Sequence, residues 1–543
     1  MLVKKLKAIF TTRLATIICW IVAISIRIIS VCFASYVGTD KAFLLLQSKN
    51  LLAGQGLYIT KYFIDNREIP EYTRSLLWPP GYPVLIAPFL KLFKYDTYLA
   101  TTSFDIIFSI ATIFVIRVIS RQVGFPIAGA NLITLLAGCF QYIYIGDSGS
   151  TDTVSIFFLL TGLLFTLKLL RGTKISIYQS LFTAFLLFSP SWFRYEYPAV
   201  ASVVPIVIAI VGVCEKNHLF IKIARQLLLF IAIFLIAYYL LLNSIGMNLN
   251  SIFRTEKGIF FANIVRWAPV IPGSFINVSF LAIQCQRVFG IQYETTIIIL
   301  EVINVLVFIV GSILFLLYFF RKRIAIKKHQ FTWFIIIGFF ISAAIIGELG
   351  FLSLTNQVQR NDSHEFNYIY EPRYFAFIFI YVQLAFLGWL FLYPECFKNV
   401  YAKGVAIVCC VLLFTEIMHN IYFNVKVVSN FAHYKASIKV EQDYAYFNKL
   451  IASLEKTHKN HDILVVAPGD LYFPLMACYN GKKGIHNPYD LNKGIHGVKT
   501  KTLVILVVTE RKKNLFNDFF TNDQPALIGS AGGNNFYIKE LLP

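Results

Sequence analysis

Few residues in this chain can do chemistry, and those that can gather where apolar segments end. Asp40 follows the first apolar segment by a few residues, and Asp152, in GDSGSTD, stands at the start of another. Arg194 and Glu196 lie in SPSWFRYEYP. Arg373 and Tyr374 lie in YIYEPRY, directly before an apolar run, and Arg74 lies in the polar stretch ahead of SLLWPPGYP. A carboxylate at such a mouth can take a proton from a hydroxyl. An arginine there can hold a phosphate, because its planar fork donates two aligned hydrogen bonds. Each residue also has a plainer reading. Asp40 and Asp152 can cap helix N-termini. Arg194 and Glu196 can pair with each other, worth ~0–1 kcal/mol when exposed. Arg373 can anchor an interface beside Tyr374, and Asp147 reads as a solvated loop residue.

The elements that must position these residues are membrane spans. The chain has 543 residues, 57% of them hydrophobic and 14% charged, whereas soluble domains carry about 25% charged residues. The first span, about Leu14 to Ser35, is long enough to cross and stay, and no short cleavable signal precedes it. The net charge of +20 would suit nucleic acid, but the basic residues fall in short loops between apolar runs. That is the positive-inside pattern, and it argues against a nucleic-acid partner.

Lys4, Lys5, Lys7 and Arg13 hold the N-terminus in the cytoplasm, and RKRIAIKK, with Arg321, Lys322, Arg323, Lys327 and Lys328, marks another inner loop. The further spans are read at Leu99 to Ser120, Pro126 to Ile145, Val154 to Leu170, Ile175 to Ser189, Ala199 to Val213 and Gln226 to Leu242. Four more follow at Thr295 to Phe320, Phe331 to Leu349, Phe375 to Tyr393 and Val405 to Tyr422. The fold class is therefore mainly α, a polytopic membrane protein of about 11 transmembrane helices. Residues 1–424 form the membrane domain, with a first external loop at 36–98. Residues 425–543 read as a small extracytoplasmic α/β domain, because the composition becomes that of a soluble domain. There a helical stretch, about Glu441 to Lys456, precedes the buried-strand runs DILVVAP and TLVILVV. The loop APGDLYFPL follows the first of these strands, at an end where ligands often bind.

The first external loop has its own pattern. From Asp40 the chain reads as an amphipathic helix whose apolar face is Phe43, Leu44, Leu46, Leu51 and Leu52, stopped by Gly54 and Gly56. Pro79, Pro80 and Pro83 then set the chain ahead of a second apolar helix, Val84 to Phe93. Arg27, Asp105, Glu301 and Glu348 fall in the outer halves of their spans, where facing lipid is costly. Each either faces protein or a wet cavity or snorkels toward the surface, which is easier for Glu348 than for Arg27 and Asp105. Of nine cysteines, Cys19, Cys32, Cys139, Cys409 and Cys410 lie in spans as small hydrophobes. Cys285 and Cys478 fall on the same external side, though nothing in the sequence shows that they meet. No metal-ligand spacing links the cysteines or His364, His419 and His433. No cofactor is implied, and a divalent cation is left open.

The order of an aspartate just after the first span, then NLLAGQGLY, then WPPGYP resembles the first external loop of polyprenyl-phosphate-sugar glycosyltransferases. These have the GT-C fold and include protein O-mannosyltransferases and lipid A aminoarabinose transferases. The resemblance is greatest to bacterial relatives of unassigned acceptor, and it covers roughly the first 200 residues. It implies an inverting transfer of a sugar from a polyprenyl-phosphate donor to a glycan, lipid or protein acceptor outside the plasma (inner) membrane. It makes Asp40 the general base, Asp152 the second acidic position and FRYEYP a counterpart of an RYE-like segment. Arg373, Tyr374, Arg194, Glu196, Asp152 and Arg74 are the substrate-binding candidates. Two positions depart from the pattern: Lys41 stands where many relatives have a second acid, and Trp78 stands where the aminoarabinose transferases have a lysine. The alternative reading is a transporter or flippase for a lipid-linked glycan. The topology has a direct check in a Gram-negative host. A phosphatase active only outside the cytoplasm stays silent when fused after Lys328 and is active when fused after Tyr422; the reverse pattern overturns the orientation.

Overall fold

The structure, a computed structural model, describes residues 10–245 apart from 35–38, 64–65, 75–78, 140–148, 174 and 196. It also describes 400–429, 446–467, the strands near 485, 501–509, 525–531 and 534–541, and isolated positions between them. Helix α1 (Arg13–Ala34) covers the first apolar run, and α2 (Thr39–Leu52) opens the segment read as the first external loop. A hairpin of β1 (Tyr58–Phe63) and β2 (Asn66–Arg74) follows, then α3 (Gly81–Leu92), α4 (Thr97–Gln122) and α5 (Ile127–Cys139). Helices α6 (Gly149–Arg171), α7 (Ile177–Phe188), α8 (Tyr197–Cys214), α9 (His218–Ser244) and α10 (Val400–Ser429) complete the described bundle.

Arg13–Cys32, Thr97–Gln122, Thr151–Arg171 and His218–Ser244 are each long and apolar enough to cross a membrane. The expected third, fifth, sixth and eleventh spans also coincide with apolar helices. Those at 295–320 and 331–349 lie outside the described residues except for single positions, as does much of 375–393.

The chain divides into two compact units. One comprises Met1–Ile29, Ile107–Ile143 and Thr151–Val425; the other comprises Ser30–Ile106, Tyr144–Ser150 and Lys426–Pro543. In the first, helices approach closely where small residues allow it. A Cβ on Gly138 would stand 2.5 Å from Ala23 of α1, and one on Gly162 of α6 would stand 2.8 Å from the Leu187 nitrogen of α7. Without a hydrophobic drive between helices in lipid, such approaches and interhelical hydrogen bonds hold a bundle together. One knot of this kind joins α1, α4 and α5. Arg117 donates to Asn131 at 2.7 Å and to Thr134 at 3.0 Å. Asn131 in turn donates to the Phe10 carbonyl at 2.7 Å and to Thr16 at 2.9 Å.

In the second unit, α2 differs from its expected form. It is not amphipathic: from Lys41 to Ser48 every residue is buried except half-buried Phe43. The helix packs against α3 and β1 and does not lie along a surface with one polar face. Gly54 and Gly56 stop it as expected, with φ of 77° and 81°, a region open to glycine at no steric cost. Asn50 then donates to the Tyr58 carbonyl at 2.6 Å, fastening the helix end to β1.

The sequence reading left 58–74 as a polar run; it is an antiparallel hairpin pairing Tyr58 with Arg74 and Lys61 with Glu71. The register shifts between Lys61 and Phe63. Pro70, which has no N–H to donate to the ladder, lies in the facing part of β2. Helix α3 starts at Gly81 after Pro80 and buries Tyr82, Ile86, Ala87 and Leu90. Tyr82 and Phe89 both meet Phe104 of α4 edge-on, at 5.3 and 5.4 Å.

The C-terminal part of the same unit is the expected α/β fold with an added antiparallel edge. A helix over 446–457 precedes β3 (Asp462–Val466), β4 (Ile485–His486), β5 (Thr502–Thr509), β6 (Ala526–Ala531) and β7 (Asn534–Leu541). The sheet order is β4-β3-β5-β7-β6; the first three strands are parallel and the last two antiparallel to their neighbours. DILVV and TLVILVVT are the central parallel pair, and Val504 to Val508 are fully buried, as continuous apolar runs require. Phe447 stacks on Phe536 at 6.0 Å, and β4 lies beside β1 of the first-loop hairpin. Gly162→Ala forces α6 and α7 apart and is expected to cost about 1–3 kcal/mol. Gly404→Ala, with nothing within 4 Å, is expected to be neutral; thermal unfolding of the two variants in detergent checks both.

Candidate functional site

Asp40 is the second residue of α2, in the first turn after the first span, where the sequence placed it. It lies within the helix rather than at its N-cap position. Its side chain lies outside the described residues. Its neighbour Lys41, a departure from the expected pattern, is buried. The Lys41 ammonium stands 3.5 Å from Oδ2 of Asp105 on α4, with the two side chains 4% and 8% exposed. The sequence raised Lys41 and Asp105 separately and did not join them. A signal was present: two opposite charges, each costly in lipid, at the outer ends of neighbouring segments. Arg74 is the last residue of β2, opposite Tyr58; its side chain, too, lies outside the described residues.

The other unit holds Asp152 and Arg194. Asp152 sits in the first turn of α6, not at an N-cap, and accepts a hydrogen bond from Nη1 of Arg194. Both side chains are 3% exposed. Arg194 thus has a buried aspartate on another helix as a partner. Glu196 lies outside the described residues. The chain turns at FRYE and carries Arg194 inward, where it is buried.

That turn is built by aromatic packing. Helix α7 ends in a 3₁₀ turn, Ser189–Trp192, and the backbone N–H groups of Phe193 and Arg194 both donate to the Pro190 carbonyl. Tyr238 of α9 donates to the Ser191 carbonyl at 2.8 Å and meets Trp192 edge-on at 5.0 Å. Phe193 stacks on Phe158 of α6 at 5.7 Å. Tyr195 is buried, and burial pushes its phenol well above its ordinary pKa, so it stays neutral.

Arg27 faces protein, donating to the Ala137 carbonyl near the end of α5 at 2.5 Å. Arg373, Tyr374, Asp147, Glu301, Glu348, Cys285, Cys478, His364 and His433 lie outside the described residues, as does the side chain of His419. Cys19, Cys32, Cys139 and Cys410 are free thiols. Among the described residues no three His, Cys, Asp or Glu side chains are grouped to hold a metal.

Several apolar helices carrying buried ion pairs, with a small mixed sheet, make this a polytopic membrane protein. Its architecture is the GT-C fold. A crystal structure of ArnT from Cupriavidus metallidurans bound to undecaprenyl phosphate matches at 10% identity with a TM-score of 0.50, covering 96% of this chain and 97% of that one. The apo state of the same protein matches at 12% identity, TM-score 0.40, over the same shares. An oligosaccharyltransferase from Archaeoglobus fulgidus, in complex with Zn and sulfate, matches at 11% identity, TM-score 0.43. That match covers 91% of this chain and 67% of that one. No protein-family model and no curated protein matches the sequence.

Removing one member of a buried ion pair takes the opposite charge away from the other. Asp152→Leu is therefore expected to cost about 3–5 kcal/mol, and Asp152→Leu with Arg194→Met to recover most of it. Thermal unfolding of the single and double variants measures the recovery.

Proposed function

We propose that the chain is an inverting glycosyltransferase of the plasma membrane. It moves a sugar from a polyprenyl-phosphate donor to an acceptor outside the cytoplasm, with Asp40 as general base. The observation that carries this reading is the fold shared over 96% of the chain with ArnT, a protein solved with undecaprenyl phosphate bound. The first-loop motifs that resemble polyprenyl-phosphate-sugar glycosyltransferases add to it. So does the position of Asp40 at the start of a buried helix directly after the first span.

The chemistry follows from the donor. The Asp40 carboxylate takes the proton of an acceptor hydroxyl, and the hydroxyl oxygen attacks the anomeric carbon from the side opposite the phosphate. The bond from that carbon to the phosphate oxygen breaks, and polyprenyl phosphate leaves as a stable anion. No protonated acid is needed on the leaving side, unlike the paired carboxyl groups of glycoside hydrolases. A cation must neutralise the leaving phosphate. Arg373, beside Tyr374 at the mouth of a span, is the first candidate, and Arg74 at the end of β2 is the second. Arg194 is engaged by Asp152 and would have to leave it to serve. In this reading residues 1–424 catalyse the transfer, and residues 425–543 form the external domain that supports the first loop.

Transfer of labelled sugar from a polyprenyl-phosphate donor by the purified protein tests the proposal. Asp40→Asn is expected to lower the rate about 10²–10⁴-fold with the donor still bound, the range for loss of a general base. Translocation of a lipid-linked glycan that survives Asp40→Asn, with no transfer, would establish the transporter instead. A protein that accepts only oligosaccharide-loaded donors would be a glycan ligase.

A further inference from the structure

We infer that the buried Lys41–Asp105 pair is a positioning device for Asp40; the inference rests on the reading of Asp40 as the general base. The first turn of a helix is its least secured part, because its leading N–H groups have no partner within the helix. Asp40 lies in that turn of α2. What ties the turn down is the adjacent residue. The Lys41 side chain is 4% exposed, and its ammonium lies 3.5 Å from the Asp105 carboxylate, itself 8% exposed.

Separating the two would take from each buried charge an oppositely charged partner, so the pair resists any slip or fraying of the turn against α4. The Asp40 Cα is bonded through one peptide to the anchored residue, about 3.8 Å away. A base must sit within a narrow distance of the proton that it takes, and a misplacement of about 1 Å can cost about 10²-fold in rate. Asp105 thus acts on the reaction through Lys41, and Lys41 through the shared backbone, without either touching substrate. This also accounts for a lysine where relatives of the resembled family carry an acid. The position serves as an anchor here, and its charge is balanced from the second span.

Hydrogen exchange and kinetics together test this. The amides at the start of α2 are compared in wild type, Lys41→Met, Asp105→Asn and Lys41→Arg, in the full chain in lipid nanodiscs. The first two variants are expected to lose protection at the start of α2 while the rest of the chain keeps it. Their kcat is expected to fall about 10–100-fold with the KM for the donor nearly unchanged. Lys41→Arg, which keeps the charge and the reach, is expected to retain both protection and most of the rate. Unchanged protection in both Lys41→Met and Asp105→Asn overturns the inference, and so does a wild-type rate once protection is lost. If the wild type transfers no sugar, the glycosyltransferase reading falls, while the exchange result still decides whether the pair anchors the turn.

Discussion

A charge buried among apolar side chains is tolerated only when another charge or a set of dipoles meets it, and this fold is arranged around that constraint. Among the described residues, each compact unit contains such an arrangement near the end of an apolar helix. In one, Lys41 of α2 meets Asp105 of α4; in the other, Asp152 of α6 meets Arg194 beyond α7. Neither pair adds much net stability by itself, because desolvation offsets most of the attraction. Their effect is specificity: each helix end has one rotation and one depth at which its charge is met. Buried Arg27 likewise donates to a backbone carbonyl, that of Ala137 on α5.

Neutral packing does the rest. Glycines let helices touch backbone to backbone, as at Gly138 and Gly162. Aromatic rings then fill the wider gaps. Tyr82 and Phe89 close on Phe104 between α3 and α4, and Tyr238 and Trp192 lock the turn that carries Arg194. In the C-terminal part the device changes to a sheet. Val504 to Val508 lose all contact with solvent, and the hairpin of the first loop lies beside the short edge strand β4.

Much of this was legible from residue order. The spans read at 14–35, 99–120, 154–170 and 226–242 fall on helices, because lipid demands long unbroken apolar runs and the chain supplies them. DILVV and TLVILVVT had to be buried strands for a similar reason, and Gly54 and Gly56 stopped α2 where expected. The amphipathic reading of α2 failed because its polar residues, Lys41, Gln47 and Ser48, are buried with the apolar ones. A residue-by-residue polarity pattern cannot show that a polar side chain has a partner. The hairpin was missed because Pro70, the charged residues and a bulge break the alternation that marks a strand.

The sequence by itself determined which of the described segments are apolar helices and which are buried strands, and the position of Asp40 just past the first apolar helix. These depend on hydropathy and local backbone preference, which act over a few residues. Only the tertiary structure decided that Arg194 turns inward to meet Asp152, and that Lys41 is held by Asp105. Partner choice depends on which helix faces meet, and that is settled by packing among residues far apart in the chain.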